Sequence, residues 1–224
     1  MGWKEKVFNG FRLYAVTDIK SESFESLKKI DAAYRGGADI VQLRSKVLSD
    51  AALVRLGLRA REIARKYRKL LFVNDRVDLA LAIEADGVHL GQGDMPVRIA
   101  RKLAQRAGQR IWIGKSTHCL EQALAAVKEE VDYIGVGPVF ATPTKPHARA
   151  VGLRFVEQAA MKVRIPWVAI GGINLGNLRD VAQAGAVRVA VVRAVFAAQD
   201  PASAARKLKR QLCHKPSKTV LEGI

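Results

Sequence analysis

The stretch Leu13-Tyr14-Ala15-Val16-Thr17-Asp18-Ile19-Lys20-Ser21 decides the fold. Its first five residues are apolar or β-branched and read as a short buried strand. An open doubly wound sheet would place a Gly-x-Gly-x-x-Gly turn directly after such a first strand. Thr17-Asp18-Ile19-Lys20-Ser21 stands there instead. The first turn therefore favours a closed (β/α)8 TIM barrel, of the α/β class.

Working outward, seven more runs of this kind follow, at 40–44, 70–74, 87–90, 111–116, 133–136, 167–170 and 187–192. They are mostly apolar without alternation, as parallel strands covered on both faces should be. Amphipathic segments lie between them. Leu27, Ile30 and Tyr34 recur at helical spacing, as do Leu53, Leu56, Ala60, Ile63, Ala64 and Tyr67, and later Leu120, Ala123, Leu124 and Val127. Helix starts are expected at Ser49-Asp50, at Asn174 before Leu175, and at Ser203 near Pro201. Helix ends are expected near Gly36-Gly37, Gly108 and Gly185. Eight units in 224 residues give about 28 residues each, tight but workable for a barrel. The sequence shows no internal duplication, long linker or low-complexity segment. A single barrel domain is expected over 11–213, with an N-terminal extension at 1–10 and a tail at 214–224.

The composition is globular, with 49% hydrophobic and 26% charged residues. Two cysteines, Cys119 and Cys213, are too few for a disulfide framework or a cysteine-rich zinc site. No apolar run approaches the ~18 residues of a membrane span, and the first residues carry no signal-peptide pattern. A cytoplasmic protein without membrane contact is the expectation.

The formal net charge is +17, which by itself points to nucleic acid or another polyanion. Its location argues otherwise. Residues 55–69, 98–110 and 206–218 together hold eighteen Lys and Arg and one acid, and the rest of the chain is balanced. The surplus belongs to three helical segments of the outer ring, where it reads as solvated surface rather than a nucleic-acid site.

In a barrel, functional residues gather at the C-terminal ends of the strands. The second strand ends in Gln42-Leu43-Arg44-Ser45-Lys46, and alternation turns Gln42, Arg44 and Lys46 to one side. Two cations at the mouth call for an anion. The partner is either a phosphate or diphosphate, or an ion pair with Asp75 or Asp94. Asp75 follows the third strand and Asp94 the fourth, so two carboxylates share that end. Few carboxylates, completed by water and phosphate oxygens, are how Mg2+ is usually held. Each Asp also suits a helix cap. Ser116 ends the fifth strand, as a phosphate donor or a cap. His118 follows as an acid–base candidate or a structural histidine. The sixth strand leads into Thr142, Thr144 and Lys145, which suit a lid over an anion. Gly171-Gly172 after the seventh strand, and a short helix at 193–196 after the eighth, suit a phosphate site. The mouth thus offers two anion sites, one suited to diphosphate with Mg2+ and one to a monophosphate. Transfer between two substrates, with metal-assisted departure of diphosphate, is the chemistry expected; there is no Ser-His-Asp triad or nucleophilic Cys.

Several short motifs then fall in one order. They are Gln42-x-Arg44-x-Lys46, Val73-Asn74-Asp75, His89-Leu90-Gly91-Gln92-x-Asp94, Ser116-Thr117-His118, Gly135-x-Gly137-Pro138-Val139-Phe140-x-Thr142-x-Thr144-Lys145 and Ile170-Gly171-Gly172-Ile173. This set resembles the thiamine-phosphate synthase family over about 11–213. The resemblance implies a transferase that joins 4-amino-5-hydroxymethyl-2-methylpyrimidine diphosphate to 4-methyl-5-(2-phosphoethyl)thiazole, or its carboxylated form, releasing diphosphate. It implies pyrimidine-diphosphate binding by Gln42, Arg44, Lys46, Asn74, Ser116 and Lys145. It implies Mg2+ at Asp75 and Asp94, and thiazole-phosphate binding by Thr142, Thr144 and Gly172. It implies catalytic roles for Arg44, Lys46, Lys145 and Ser116 in a dissociative substitution. Val192 and Arg193 join the thiazole-phosphate side, although many relatives have Ser where Arg193 stands. A homo-oligomer stays open.

Two rivals are weighed. A thiazole tautomerase of the same fold needs a histidine in the loop after the sixth strand, where this chain has Gly137-Pro138. A non-catalytic basic barrel that binds nucleic acid is motivated by the charge alone.

Overall fold

The computed structural model describes residues 2–144 and 148–213. Eight parallel strands close into one barrel in chain order. They are β1 (Leu13–Val16), β2 (Ile40–Leu43), β3 (Leu70–Asn74), β4 (Gly87–Leu90), β5 (Trp112–Thr117), β6 (Tyr133–Val136), β7 (Trp167–Ile170) and β8 (Val189–Val191). β8 closes the ring on β1 through Leu13 opposite Val189 and Ala15 opposite Val191. The helices between and around them are α1 (Trp3–Gly10), α2 (Phe24–Arg35), α3 (Asp50–Lys66), α4 (Val77–Ala82) and α5 (Val97–Arg106). Then come α6 (Leu120–Lys128), α7 (Gly152–Lys162), α8 (Leu178–Gln183), α9 (Arg193–Phe196) and α10 (Pro201–Cys213). The (β/α)8 barrel expected from the first turn is the fold observed.

Strand alternation sorts the apolar residues into two clusters. Leu13, Ala15, Val41, Leu43, Leu71, Val73, Val88 and Leu90 face the helices and join the outer core. Tyr14, Val16, Ile40, Leu70, Phe72, Tyr133, Val168 and Ala190 face inward and fill the barrel. The 1–10 segment contributes α1, whose Phe8 enters the inner cluster and stacks on Trp112 with ring centroids 4.6 Å apart. One end of the barrel is therefore closed by rings. Their space is created by missing side chains elsewhere: a Cβ on Gly114 would lie 2.1 Å from the Tyr133 ring.

The local signals were partly right. Ser49 caps α3, its side chain accepting from the Ala52 N–H. α2 ends at Gly36, and Gly108 and Gly185 take positive φ just past the ends of α5 and α8. Two expected starts are corrected. Asn174 does not open a helix; its carboxamide oxygen accepts from Gly176 in a turn, and α8 begins after Asn177. Ser203 is not a cap either: the Asp200 carboxylate accepts from Ala202 and Ser203, and the helix starts at Pro201. A free carboxylate with two backbone donors is the stronger N-terminal acceptor.

The three basic segments do fall on α3, α5 and α10, with 214–218 outside the described residues. Part of their charge is paired rather than only solvated. Arg55 pairs with Glu22, Arg61 with Glu84, Lys66 with Asp31 and Arg101 with Asp132. Lys69 and Lys209 both hold Asp39, a buried carboxylate that also accepts from the backbone N–H groups of Arg12 and Leu13. No helix among the described residues is long and apolar enough to cross a membrane.

Candidate active site

The C-terminal ends of the strands surround a cavity of about 720 Å³. Gln42, Arg44, Lys46, Asn74, Asp75, Asp94 and Ser116 line one side of it. Thr142, Thr144, Gly172, Val192 and Arg193 line the rest. Lys145 lies outside the described residues. Apart from Lys145, every site residue expected from sequence lines this one cavity.

Arg44 is delivered by the stretch that decided the fold. After β1, Thr17 and Ile19 continue the pairing along the chain beyond β2: Thr17 N–H donates to Gln42 O, and Ile19 N–H to Arg44 O. The Thr17 hydroxyl accepts from Arg44 N–H and donates to Arg44 O. This extension carries Asp18 to the Arg44 guanidinium, which donates to Asp18 Oδ1 at 2.5 Å. Arg44 is only 8% exposed, so its charge needs this partner. The alternative of an ion pair with Asp75 or Asp94 is thus corrected for Arg44: its carboxylate partner is Asp18, which no sequence motif marks. Lys46 does take such a pair, donating to Asp75 Oδ2 at 2.9 Å.

Neither carboxylate caps a helix. Asp75 stands in the left-handed region at φ 63°, and its N–H donates to His89 O. Asp94 folds back and accepts from Gly91 N–H at 2.6 Å. The two acids interact directly, and they split in acidity. Burial pushes Asp75 up, but Lys46 and its bond with Asp94 outweigh this and leave it below the ordinary Asp range. Burial and the neighbouring Asp75 raise Asp94 above it, against the pull of the Gly91 N–H. Two neighbouring carboxyl groups beside Arg44 and Lys46 are hard oxygen donors of the kind that suit Mg2+ sharing its shell with water and phosphate oxygens. Among the described residues no group of three or more His, Cys, Asp or Glu is arranged so that it could hold a metal ion by itself.

Ser116 is not a cap; α6 starts after Cys119 without a side-chain bond. Its hydroxyl meets His89 Nε2 at 2.9 Å, and His89 Nδ1 meets the Tyr133 hydroxyl at 2.9 Å. Tyr133 meets Tyr14 at 3.0 Å, and Gln42 Nε2 donates to Tyr14 at 2.8 Å. Five side chains thus cross the barrel in one line. In the sequence His89 stands out only as part of a motif, and neither tyrosine stands in one. The inward phase of β1, β4, β5 and β6 was the signal that would have grouped them. His118 also lines the cavity, with Nδ1 donating to Gly137 O at 2.5 Å.

On the far side, Val139 and Phe140 donate to Ile170 O and Gly171 O, tying the loop after β6 to the turn after β7. Gly171 and Gly172 take φ 104° and 65°, and a Cβ on either would lie under 3 Å from Pro138 or Phe140. The glycine pair is therefore required by the turn and by the close loop, whatever it binds. α9 starts at Arg193, as the expected short helix.

A family profile described as thiamine monophosphate synthase matches residues 13–195. The chain belongs to this family. A thiamine-phosphate synthase of Chloroflexus aurantiacus is 49% identical to it over 201 residues, covering 89% of this chain and 91% of that protein. One from Nostoc punctiforme is 48% identical over 201 residues, but the match covers 90% of this chain and 56% of that longer protein. The chain therefore spans little more than half the length of some of the curated relatives it matches. A solved thiamine phosphate pyrophosphorylase from Pyrococcus furiosus superposes with a TM-score of 0.83 at 39% identity, over 92% of this chain and 97% of that chain. The thiamine monophosphate synthase resemblance read from the ordered motifs is the family found.

Proposed function

We propose that this chain is a thiamine-phosphate synthase, joining 4-amino-5-hydroxymethyl-2-methylpyrimidine diphosphate to 4-methyl-5-(2-phosphoethyl)thiazole. The observation that carries the reading is that Arg44, Lys46, Asp75 and Asp94 line the same cavity as Gly172 and the start of α9. Such a mouth suits a diphosphate on one side and a second phosphate on the other.

The reaction breaks the bond between the pyrimidine methylene carbon and a diphosphate oxygen, and forms a bond from that carbon to the thiazole nitrogen. Arg44 and Lys46 meet the charge that builds on the leaving oxygens, and a half-buried setting strengthens that attraction. Asp18 holds Arg44 in place for this. Lys46 exchanges Asp75 for the diphosphate. Gln42, Asn74 and Ser116 orient the pyrimidine diphosphate; Thr142, Thr144, Gly172 and the α9 backbone at Val192 and Arg193 hold the thiazole phosphate. Lys145 belongs with the diphosphate cations. Asp75 and Asp94 would hold Mg2+, which supplies further neutralisation of the leaving diphosphate when bound. The thiazole nitrogen carries its own lone pair, so no side chain has to remove a proton for the new bond to form.

The test is an assay of pure protein with both substrates, with and without Mg2+. Thiamine phosphate is expected only with both substrates and metal. A double variant Asp75→Ala, Asp94→Ala should lose at least ~100-fold in rate, the scale of several kcal/mol of charge stabilisation. Isomerisation of the thiazole alone, or a fully active double variant, would overturn the reading.

A further inference from the structure

The line of side chains from Gln42 to Ser116 has a direction, and the direction determines what Ser116 presents to the cavity. The contacts along the line set the proton count, and the burial of both tyrosines agrees with it. Burial pushes both Tyr14 and Tyr133 well above the ordinary phenol range, so each hydroxyl keeps its one hydrogen. The Gln42 nitrogen facing Tyr14 can only donate. Tyr14, accepting from Gln42, gives its hydrogen to Tyr133 across 3.0 Å. Tyr133 then gives its own to His89 Nδ1 across 2.9 Å. With Nδ1 accepting, the His89 ring carries its hydrogen on Nε2 and gives it to Ser116 across 2.9 Å. The Ser116 hydroxyl has accepted, and its own hydrogen turns into the cavity that Ser116 lines.

We propose that Gln42, Tyr14, Tyr133 and His89 form a one-way hydrogen-bond relay that presents the Ser116 hydroxyl as a donor to the first substrate. Tyr14, Tyr133 and His89 are positioning residues: they act through Ser116. The opposite sense, with the Gln42 amide turned, would reverse every bond. Ser116 would then give its hydrogen to His89 and show the cavity only lone pairs, which repel a phosphate oxygen. An anion site needs the forward sense, and in this respect the relay rests on the synthase reading. Gly114 and Gly135 make the relay buildable, because a Cβ at Gly114 would strike the Tyr133 ring and one at Gly135 would sit 3.3 Å from the His89 ring.

The test has two arms. In the first, two-bond proton–nitrogen NMR spectra are recorded on the full-length, ligand-free protein labelled at histidine. The forward relay predicts hydrogen on His89 Nε2 and none on Nδ1. His118, whose Nδ1 faces a carbonyl, is the internal reference with the opposite pattern. Hydrogen on His89 Nδ1 would overturn the proposal. This arm needs no turnover, so a protein that makes no thiamine phosphate would sink the synthase reading and leave the relay to be judged by its spectrum. In the second arm, Tyr133→Phe and Tyr14→Phe, which keep the ring volume, are compared with the parent. Loss of the donor to His89 should shift its tautomer toward a mixture in Tyr133→Phe. It should also raise KM for the pyrimidine diphosphate about fivefold, the scale of one net hydrogen bond, with KM for the thiazole phosphate unchanged. An unchanged tautomer and unchanged KM values in both variants would refute the relay.

Discussion

Arg44→Ala tests the role proposed for the most buried cation at the mouth apart from its structural one. Structurally the loss is limited. Asp18 loses the 2.5 Å contact but keeps Lys20 at 2.9 Å, so no carboxylate is left alone. The Thr17 bonds to residue 44 use its backbone and survive. A stability cost of about 1.5–3 kcal/mol is expected, that of one hydrogen bond to a charged group. For catalysis the loss is larger. A unit charge about 4 Å from one leaving-oxygen charge is worth about 4 kcal/mol at an effective dielectric constant near 20. Asp18 offsets part of that, which leaves about 2–4 kcal/mol, or roughly a 30- to 1,000-fold drop in kcat/KM for the pyrimidine diphosphate. The assay is initial rate at saturating thiazole phosphate, with thermal unfolding alongside. Lys20→Ala is the control: it removes the other partner of Asp18 from an exposed site, and should change the rate by no more than ~1 kcal/mol. A folded Arg44→Ala protein with parental kcat/KM would refute the assignment of Arg44 to the leaving group.

The buried Asp39 gives a pH prediction. Burial pushes its carboxyl up, but Lys209 and Lys69 outweigh burial and hold it below the ordinary Asp value, so its contribution is present above that value and is lost as pH falls through the folded pKa. Asp39→Asn should therefore melt well below the parent at neutral pH, and the gap between the two should close on acidification; a gap independent of pH would show that the charge is irrelevant. Gly114→Ala should fail to give a normally folded barrel, because its Cβ falls 2.1 Å from the Tyr133 ring, while Tyr133→Ala in the same background should restore folding without restoring activity. Circular dichroism and thermal melts of the single and double variants decide this, and a well-folded single variant would count against the packing argument.

The barrel was legible in the sequence because buried parallel strands are written as contiguous apolar runs, and each of the eight appears within two residues of its expected end. The site was legible for a related reason: a strand end and its following loop are contiguous in sequence, so Gln42, Arg44 and Lys46 announce themselves together. What escaped notice depends on partners far apart in the chain. Asp18 and Arg44 are 26 positions apart, and each alone looks like an ordinary loop residue. The Tyr14–Tyr133 bond spans 119 positions and requires the phases of two strands to be known at once. The start of α8 was missed because Asn174 and Asn177 both suit a turn or a cap, and the bond from Asn174 N–H to Asn177 Oδ1 shows that they share the work.

The inside of this barrel changes character along its axis. At one end Phe8, Phe72, Trp112 and Tyr133 pack ring against ring; at the other, Arg44, Lys46, Asp75 and Asp94 face open space. The costs of a chemically active mouth, with buried charge and crowded carboxylates, are thereby kept away from the residues that hold the strands together. The usual conflict between durability and activity becomes a matter of address. Substitutions that tighten the ringed end can raise the melting temperature without reaching the reacting atoms, and the hydroxyls of Tyr14 and Tyr133 mark the level at which that freedom stops.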